Sequence, residues 1–352
     1  MDKGCVRRQD DCSTKLIGVV AMSSSTVAGV DRSKRGRHQR ERVKIKSNHP
    51  KAKKQKYDKA ESRWAYLFIS PFYLIFLIFG LAPIIFSVAV SFFNWNPLEE
   101  VHSFVGLQNF KDLVADPIFW ISVRNTFSIW FFSTIPQLFL AMGIASILRS
   151  PKLRGRVFWQ TMLLLPNITS AIAIAVVFGQ MFGRDFGIIN ILLSHINRGP
   201  VDWIEGTLAS HIAIATMITW RWVGYNSLIF LASMNAISKD LYESADLDGA
   251  NRFQQFRYVT LPQLKNTITF MVIVGTIGGL QVFAEPATLG GSYDGGTSNQ
   301  FSTLTLYLFK QVAVNGTYGY AAAIGIGITV LVVIISAINF FITRRISGEG
   351  SK

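Results

Sequence analysis

The sequence contains little charge and almost no cysteine. Only 16% of its 352 residues are Asp, Glu, Lys or Arg, whereas 50% are hydrophobic; an average globular protein carries about 25% charged residues. The two cysteines, Cys5 and Cys12, lie close to the N-terminus. The rest of the chain therefore has no disulfide framework and no thiolate metal site, and its composition favours a large lipid-facing surface.

Motifs for chemistry are also missing. The sequence has no G-x-x-x-x-G-K-S/T loop, so the chain cannot hydrolyse ATP by that route. It has no His/Glu pattern at metal-ligand spacing, no nucleophile elbow and no paired carboxylates placed for acid and base catalysis. We therefore predict that the chain is not an enzyme on its own and binds no metal or cofactor. Energy from ATP would have to come through a separate subunit.

The positive charge of the chain is concentrated at its N-terminus. Residues 1–63 hold about half of the 35 Lys and Arg residues and few large apolar ones. A segment of this composition cannot bury enough surface to order itself. Because its charges are not regularly interleaved with aromatic residues, we predict a disordered cytoplasmic tail attracted to anionic membrane lipid, and no nucleic-acid partner.

Long apolar segments fill most of the remaining chain. A bilayer core needs about 20 mostly apolar helical residues, and the predicted spans are 64–93, 123–148, 157–182, 208–234, 267–283 and 321–343. They predict an all-α integral membrane protein with a six-helix transmembrane domain over residues 64–345 and a short cytoplasmic C-terminal tail over 346–352. Pro71 and Pro83 predict a kink or tilt in the first span.

The orientation of the spans is predicted from the charges of the loops. Basic residues cluster after the second span, in the segment between the fourth and fifth spans, and after the last span, whereas the opposite loops carry fewer of them. Basic loops remain on the cytoplasmic side of a membrane. We therefore predict a multi-pass protein of the plasma membrane with both termini in the cytoplasm.

The segment 240–262, between the fourth and fifth predicted spans, contains a helix, a turn and a second helix. Glu243 and Ala245 favour a short helix, and Gly249 lies where a chain leaving that helix needs positive φ. Pro262 then stops or kinks the second helix before the fifth span. A folded, partly apolar hairpin in a cytoplasmic loop can dock in the groove of another protein.

This hairpin resembles the EAA loop of permease subunits in binding-protein-dependent ABC importers. The residues that match its Glu-Ala-Ala, Gly and Leu-Pro pattern are Glu243, Ala245, Gly249, Leu261 and Pro262; the sequence departs at Ser244, where the family has a second alanine. The resemblance implies that the loop is a coupling hairpin gripped by the ATPase subunit. In it, Glu243 would make a polar contact to the ATPase, Gly249 would permit the turn, and Pro262 would set the angle into the fifth span.

The resemblance extends from about residue 64 to residue 345. Over this range the chain resembles the maltose-type branch of sugar permeases, including cellobiose-type members. Its motifs are the segment 104–110, Asn125-Thr126, Leu165-Pro166, Gly187 with Asn190, Gly290-Gly291 and the segment 300–307. It implies import of a sugar or oligosaccharide by alternating access. The implied partners are ABC ATPase subunits, a second homologous permease subunit and an extracytoplasmic sugar-binding protein.

Polar residues inside the predicted spans are candidates for the substrate pathway. A charged group at bilayer depth costs about 2.5 to 3.5 kcal/mol on insertion scales, so Arg221 is expected to face a cavity or a partner. Tyr225 and Asn226 follow one turn later and offer a ring and an amide suited to a sugar. Asn167 in the third span and Gln281 near the end of the fifth are predicted to line the same path.

Alternatives for Arg221 and for the function of the whole chain stay open at this point. Arg221 could equally pair with a carboxylate of a partner permease or extend its side chain toward the cytoplasm. The alternative function is an ion-coupled secondary transporter, for which inverted repeats and interrupted helix pairs would be expected, and the sequence shows neither. A polytopic membrane enzyme would need clustered His, Asp or Glu at one membrane face.

Overall fold

In the computed structural model of this chain, residues 59–99, 103–290 and 293–346 are described. The described residues from Arg63 onward form one compact unit. The predicted basic tail, residues 1–63, falls almost wholly outside the described residues, as does the C-terminal tail beyond residue 346. Gly291, part of one motif of the resemblance, also lies outside them.

The described residues are mostly helical, as the sequence predicts. The helices are α1 Lys59–Ile75, α2 Ala82–Val90, α3 Gln108–Ala115, α4 Pro117–Arg149, α5 Arg156–Ile168, α6 Ala171–Met181, α7 Ile188–His195, α8 Thr207–Asn235, α9 Lys239–Leu247, α10 Arg252–Gln255, α11 Leu261–Gln263, α12 Lys265–Leu280, α13 Ala284–Leu289, α14 Leu304–Ala313 and α15 Tyr318–Ile346. A two-stranded antiparallel ribbon adds to them, pairing β1 Phe93–Asn94 with β2 Ser103–Phe104.

Within the described residues, three helices are long and apolar enough to cross a membrane, namely Tyr66–Val90, α4 and α15. The pair α5 and α6 makes a fourth if its two helices count as one broken span. The two helices are bent by 92° relative to each other. The segments predicted as the fourth and fifth spans form α8, with 29 residues, and α12, with 16. Neither is among the three helices, because many polar side chains lower the mean hydropathy of α8 and because α12 is too short.

The bend between α5 and α6 interrupts the single span predicted over 157–182. Thr169 and Ser170 have extended backbones, with ψ of 143° and 130°, so the helix stops and restarts there. Pro166 lies in the last turn of α5 and removes a backbone donor from it. Thr169 and Ser170 are exposed at this break.

Two prolines explain two widened turns in the helices. The N–H of Ala82 donates to the carbonyl of Leu77, and the N–H of Leu261 donates to that of Phe256, each five residues back. Pro83 and Pro262 follow directly. A proline ring clashes with the carbonyl four residues before it, so a π-helical turn relieves the clash. The predicted irregularities at both prolines take this form.

The core is organised around α4 and α8, which run parallel. Ser128 Oγ lies 2.8 Å from His211 Nδ1 in the N-terminal parts of both helices. Ser146 Oγ lies 3.9 Å from Met234 Sδ near their C-terminal ends. Buried apolar clusters lie on both halves of this pair, one with α6 and α13 and one with α12. A further cluster joins α3, α14 and α15. The hairpin α9–α11 therefore lies at the end where α4 and α8 finish.

The segment 300–307, one motif of the resemblance, is almost completely buried between α4 and α8. Phe301 is 0% exposed and Gln300 is 4% exposed. Asn125 Nδ2 donates to the carbonyls of Asn299 and Ser302, at 2.8 and 3.1 Å. His211 Nε2 lies 2.8 Å from the carbonyl of Gln300. This segment therefore holds the N-terminal ends of α4 and α8 in position relative to each other.

Asp116 ties the same end of α4 to the helices that follow the segment. Its carboxylate caps α4 by accepting from the N–H of Ile118 at 2.8 Å, and it accepts hydrogen bonds from the hydroxyls of Tyr307 and Tyr320. Burial and the contact with Asp116 raise the pKa of Tyr307 to about 12. This hydroxyl therefore remains a donor at neutral pH.

Asn190 organises the loop between α6 and α8. Its Nδ2 donates to the carbonyls of Arg184 and Val201, at 2.8 and 2.9 Å, and its Oδ1 accepts from Trp203 Nε1 at 2.9 Å. The side chain is 5% exposed. Gly187, the other residue of this motif, lies so close to Gly183 that a Cβ would be 2.2 Å from its carbonyl oxygen.

We expect Asn190→Ala to lower the free energy of unfolding by about 1–3 kcal/mol, because several part-buried backbone groups lose their partners. The measurement is the thermal unfolding midpoint of the purified protein. Ser194→Ala is the matched control, since Ser194 is exposed and its hydroxyl donates to the carbonyl of Ile191 in its own helix. Equal midpoints for the two variants would contradict this role of Asn190.

Candidate functional site

A cavity of about 420 Å³ lies between α4, α8, α12 and the segment that joins α12 to α13. Four of the five residues predicted from the sequence for the substrate pathway line it together: Arg221, Tyr225, Asn226 and Gln281. The fifth, Asn167, is not among the described lining residues. It lies in the last turn of α5, just before the bend that turns the chain away.

The wall contributed by α8 combines ring surfaces with polar groups. Arg221 and Tyr225 are four residues apart, as are Trp222 and Asn226, so each pair lies on one side of the helix. The rings of Trp222 and Tyr225 meet edge to face, with centroids 6.0 Å apart. Both rings are partly exposed. This wall offers stacking surface and hydrogen-bonding groups side by side.

An ion pair crosses the cavity from α8 to α13. Arg221 Nη1 lies 2.7 Å from Glu285 Oε1, and the two side chains are 23% and 6% exposed. The Arg221 guanidinium carbon lies 5.4 Å from the ring centre of Trp222. The carboxylate that Arg221 contacts thus belongs to the same chain.

Gln281 reaches the cavity because α12 ends earlier than predicted. The fifth span was expected to continue to residue 283, but α12 stops at Leu280 and α13 starts at Ala284. Gly278 and Gly279 have low helix propensity and immediately precede this end. The non-helical residues between the helices place Gln281 and Glu285 on the same cavity.

Two lining residues of α4, Thr134 and Gln137, are absent from the prediction. Gln137 is 6% exposed in the middle of an apolar helix. A polar side chain at such a depth is the same signal that identified Arg221. Pro136 beside it removes a backbone donor and marks the same turn of α4.

The segment 240–262 folds as the predicted helical hairpin. Ser238 caps α9 by accepting from the N–H of Asp240 at 3.3 Å. At its other end, Gly249 has a φ of 76°, and the N–H of Ala250 donates to the carbonyl of Ala245 at 2.9 Å. This is the Schellman geometry that favours glycine. The second helix begins with a capping box between Asn251 and Gln254.

Arg149, the last residue of α4, attaches the hairpin to the helical bundle. Its Nη1 donates to the hydroxyl of Tyr242 at 2.6 Å, and its guanidinium carbon lies 4.3 Å from the centre of that ring. The Tyr242 hydroxyl lies 2.9 Å from Thr260 Oγ1. A displacement of the hairpin would therefore be transmitted to α4, which forms part of the cavity wall.

The tip of the hairpin presents apolar side chains without covering structure. Leu247 is 90% exposed and Phe253 is 75% exposed, on either side of the turn at Gly249. Glu243 is also exposed, whereas Ala245 is half-buried. Leu261 packs against the buried cluster between α4, α8 and α12. The hairpin thus has an anchored base and an exposed apolar tip.

The described residues contain no group of three or more His, Cys, Asp or Glu side chains that could hold a metal ion.

Residues 53–348 match the family model of the binding-protein-dependent transport system inner membrane component. The chain is 34% identical over 286 residues to the arabinooligosaccharides transport system permease protein AraP of Bacillus subtilis (strain 168), covering 81% of this chain and 90% of that protein. It is 33% identical over 283 residues to the lactose transport system permease protein LacF of Rhizobium radiobacter, covering 80% of this chain and 94% of that protein.

A solved structure has the same fold. It is a chain of a bacterial alginate ABC transporter in complex with an alginate pentasaccharide-bound periplasmic protein, with a TM-score of 0.69 and 23% sequence identity. The match covers 82% of this chain and 96% of that chain.

Proposed function

This chain belongs to the family of binding-protein-dependent transport system inner membrane components, and we propose that it forms one part of the membrane pathway of an ATP-driven importer of sugars or oligosaccharides. The observation that carries this function is the similarity along most of the chain to permease proteins of arabinooligosaccharide and lactose transport systems. Family membership decides against the ion-coupled secondary transporter. The family consists of membrane transport components and not of catalytic enzymes.

The proposed topology has six spans with both ends in the cytoplasm. α8 has 29 residues, so its length of about 44 Å is sufficient to cross the bilayer despite its polar side chains. α12 is short because the chain leaves helical geometry where it lines the cavity. Non-helical backbone at membrane depth is tolerated in such a place. In this topology the hairpin lies in the cytoplasm.

The proposed energy source is a separate ABC ATPase that binds the hairpin. Its exposed tip, Leu247 and Phe253, has the character of a surface that packs in a groove of another protein. Glu243 would add a polar contact beside it, and Gly249 permits the turn between the two helices. Leu261 and Pro262 join the hairpin to α12. This chain would bind no cofactor itself, and ATP would be used by the partner.

The other proposed partners are a second homologous permease and an extracytoplasmic sugar-binding protein. One permease of six spans is a small unit for a complete translocation path, and the related solved transporter is in complex with a periplasmic protein carrying a saccharide. Alternating access would expose the cavity at Arg221 and Tyr225 first to the binding protein and then to the cytoplasm.

The test is transport by the reconstituted complex. Proteoliposomes hold this chain, the second permease and the ATPase, and the binding protein is added on the face of the bilayer opposite to the ATPase. We expect uptake of radiolabelled sugar only when ATP is present on the ATPase side. The matched control is the same complex with an ATPase that binds but does not hydrolyse ATP. Uptake by this chain alone, or uptake driven by an ion gradient without ATP, would contradict the proposal.

A further inference from the structure

The cavity contains a compensated pair of charges. Among its described lining residues, Arg221 and Glu285 are the only Arg, Lys, Asp or Glu side chains, and they form an ion pair of 2.7 Å. The remaining polar groups are neutral, and most of the wall is apolar carbon. They include Thr134, Gln137 and Asn226. The described wall therefore carries no net charge toward a ligand.

Glu285 is more deeply buried than Arg221, and this difference in burial favours an intact ion pair. The Glu285 side chain is 6% exposed and that of Arg221 is 23% exposed. If Arg221 turned to an anionic ligand, it would leave a buried carboxylate without its partner, which is strongly unfavourable. The Arg221 side chain keeps 23% of its surface exposed, so a neutral hydroxyl could still accept a hydrogen bond from the guanidinium without breaking the ion pair.

An acidic saccharide would meet a different situation from a neutral one. Its carboxylate would lose hydration in a cavity whose one cation is already neutralised, and burying an unpaired charge is costly. A neutral saccharide needs only hydroxyl contacts and ring stacking, which the amides and the rings of Trp222 and Tyr225 provide. The wall thus suits an uncharged ligand.

We propose that Glu285 determines the charge selectivity of this cavity: by occupying Arg221, it restricts the cargo to uncharged saccharides and rejects those that carry uronate groups. This inference rests on the proposed function of the cavity as the sugar pathway. Removal of the Glu285 charge frees Arg221 as a cation for an acidic sugar.

The experiment measures saccharide binding to the purified complex of both permeases and the ATPase, without binding protein, by saturation-transfer NMR titration. The neutral probes are cellobiose, lactose and galactobiose, and the acidic probes are cellobiouronate and digalacturonate. The wild-type complex is expected to bind at least one neutral probe about tenfold or more tightly than either acidic one. Glu285→Gln is expected to shift this ratio toward the acidic probes by about tenfold or more, because hydrogen bonds to charged groups are the stronger ones.

Two further variants separate selectivity from folding. The double variant Arg221→Gln with Glu285→Gln has no charge in the pair, so it is expected to regain the preference for neutral probes. Asp294→Asn is the matched control for the loss of one negative charge, since Asp294 pairs with Lys310 at 2.9 Å and does not line the cavity. We expect this control to keep the wild-type ratio.

Equal or tighter binding of the acidic probes by the wild-type complex would overturn the selectivity and leave the sugar pathway standing. An unchanged ratio in Glu285→Gln would do the same, provided the variant still binds a probe. Absence of binding by every probe to an intact wild-type complex would overturn the cavity as a sugar site, and with it the selectivity. If Glu285→Gln alone does not fold, the double variant decides: a preference for acidic probes in it would contradict the inference.

Discussion

Gly224→Ala is expected to prevent assembly of a stable permease. An alanine Cβ at this position would lie 1.8 Å from the carbonyl oxygen of Leu163 and 2.6 Å from its carbonyl carbon. These atoms belong to the backbone of α5, so no side chain can rotate away. Overpacking against flexible neighbours costs about 1–3 kcal/mol, and a backbone clash at this distance should exceed that range because α5 and α8 must separate.

The measurement is the yield of the variant in detergent-solubilised membranes and its thermal unfolding midpoint. Gly143→Ala is the matched control: Gly143 lies within α4, nothing lies within 4 Å of its added Cβ, and alanine favours the helix. We expect Gly143→Ala to keep or raise the midpoint, and Gly224→Ala to give little or no assembled protein. Equal behaviour of the two alanine variants would show that α5 and α8 do not cross at this distance.

The position of Gly224 connects this packing to the cavity. It lies between Arg221 and Tyr225 on α8, but it faces α5 whereas they face α12. The close approach of α5 at Leu163 therefore supports the back of the wall that presents the two polar side chains. A loss of this support would disturb the cavity even where the chain remains in the membrane.

The sequence was sufficient for features that depend on local order. Apolar length predicted the long helices, because a bilayer needs about 20 such residues in a row. The turn of the hairpin could be predicted because Gly249 requires positive φ, which few other residues adopt. Four of the five residues predicted for the pathway line one cavity. They could be predicted because a polar group within an apolar membrane helix is costly, so its presence indicates a cavity or a partner.

Features that depend on contacts between distant segments could not be predicted. The partner of Arg221 is Glu285, which lies 64 residues further along the chain, and no local pattern specifies that meeting. The bend at Thr169 and Ser170 is hidden because both residues also occur inside membrane helices. The early end of α12 is hidden in the same way, since Gln281 and Val282 do not interrupt an apolar segment strongly.

The second large effect is expected at the tip of the hairpin. In the double variant Leu247→Asp with Phe253→Asp, we expect the ATPase to be lost from the purified complex and ATP-dependent uptake to fall to background. Both side chains are largely exposed, at 90% and 75%, so their replacement removes no packing within the chain. Burying two carboxylates in an apolar groove of a partner is strongly unfavourable, and loss of docking should therefore be nearly complete.

Co-purification of the ATPase with the tagged chain, at matched membrane expression, measures this effect. Val114→Asp is the matched control, because Val114 is an apolar side chain 66% exposed on α3, at the opposite end of the bundle. The control should retain the ATPase. The anchoring of the hairpin by Arg149 and Tyr242 is untouched by the double variant, so its fold should persist. An ATPase that remains bound to this variant would mean that the hairpin docks through another surface or not at all, and the energy of ATP would then have to reach the cavity by a route other than α9–α11.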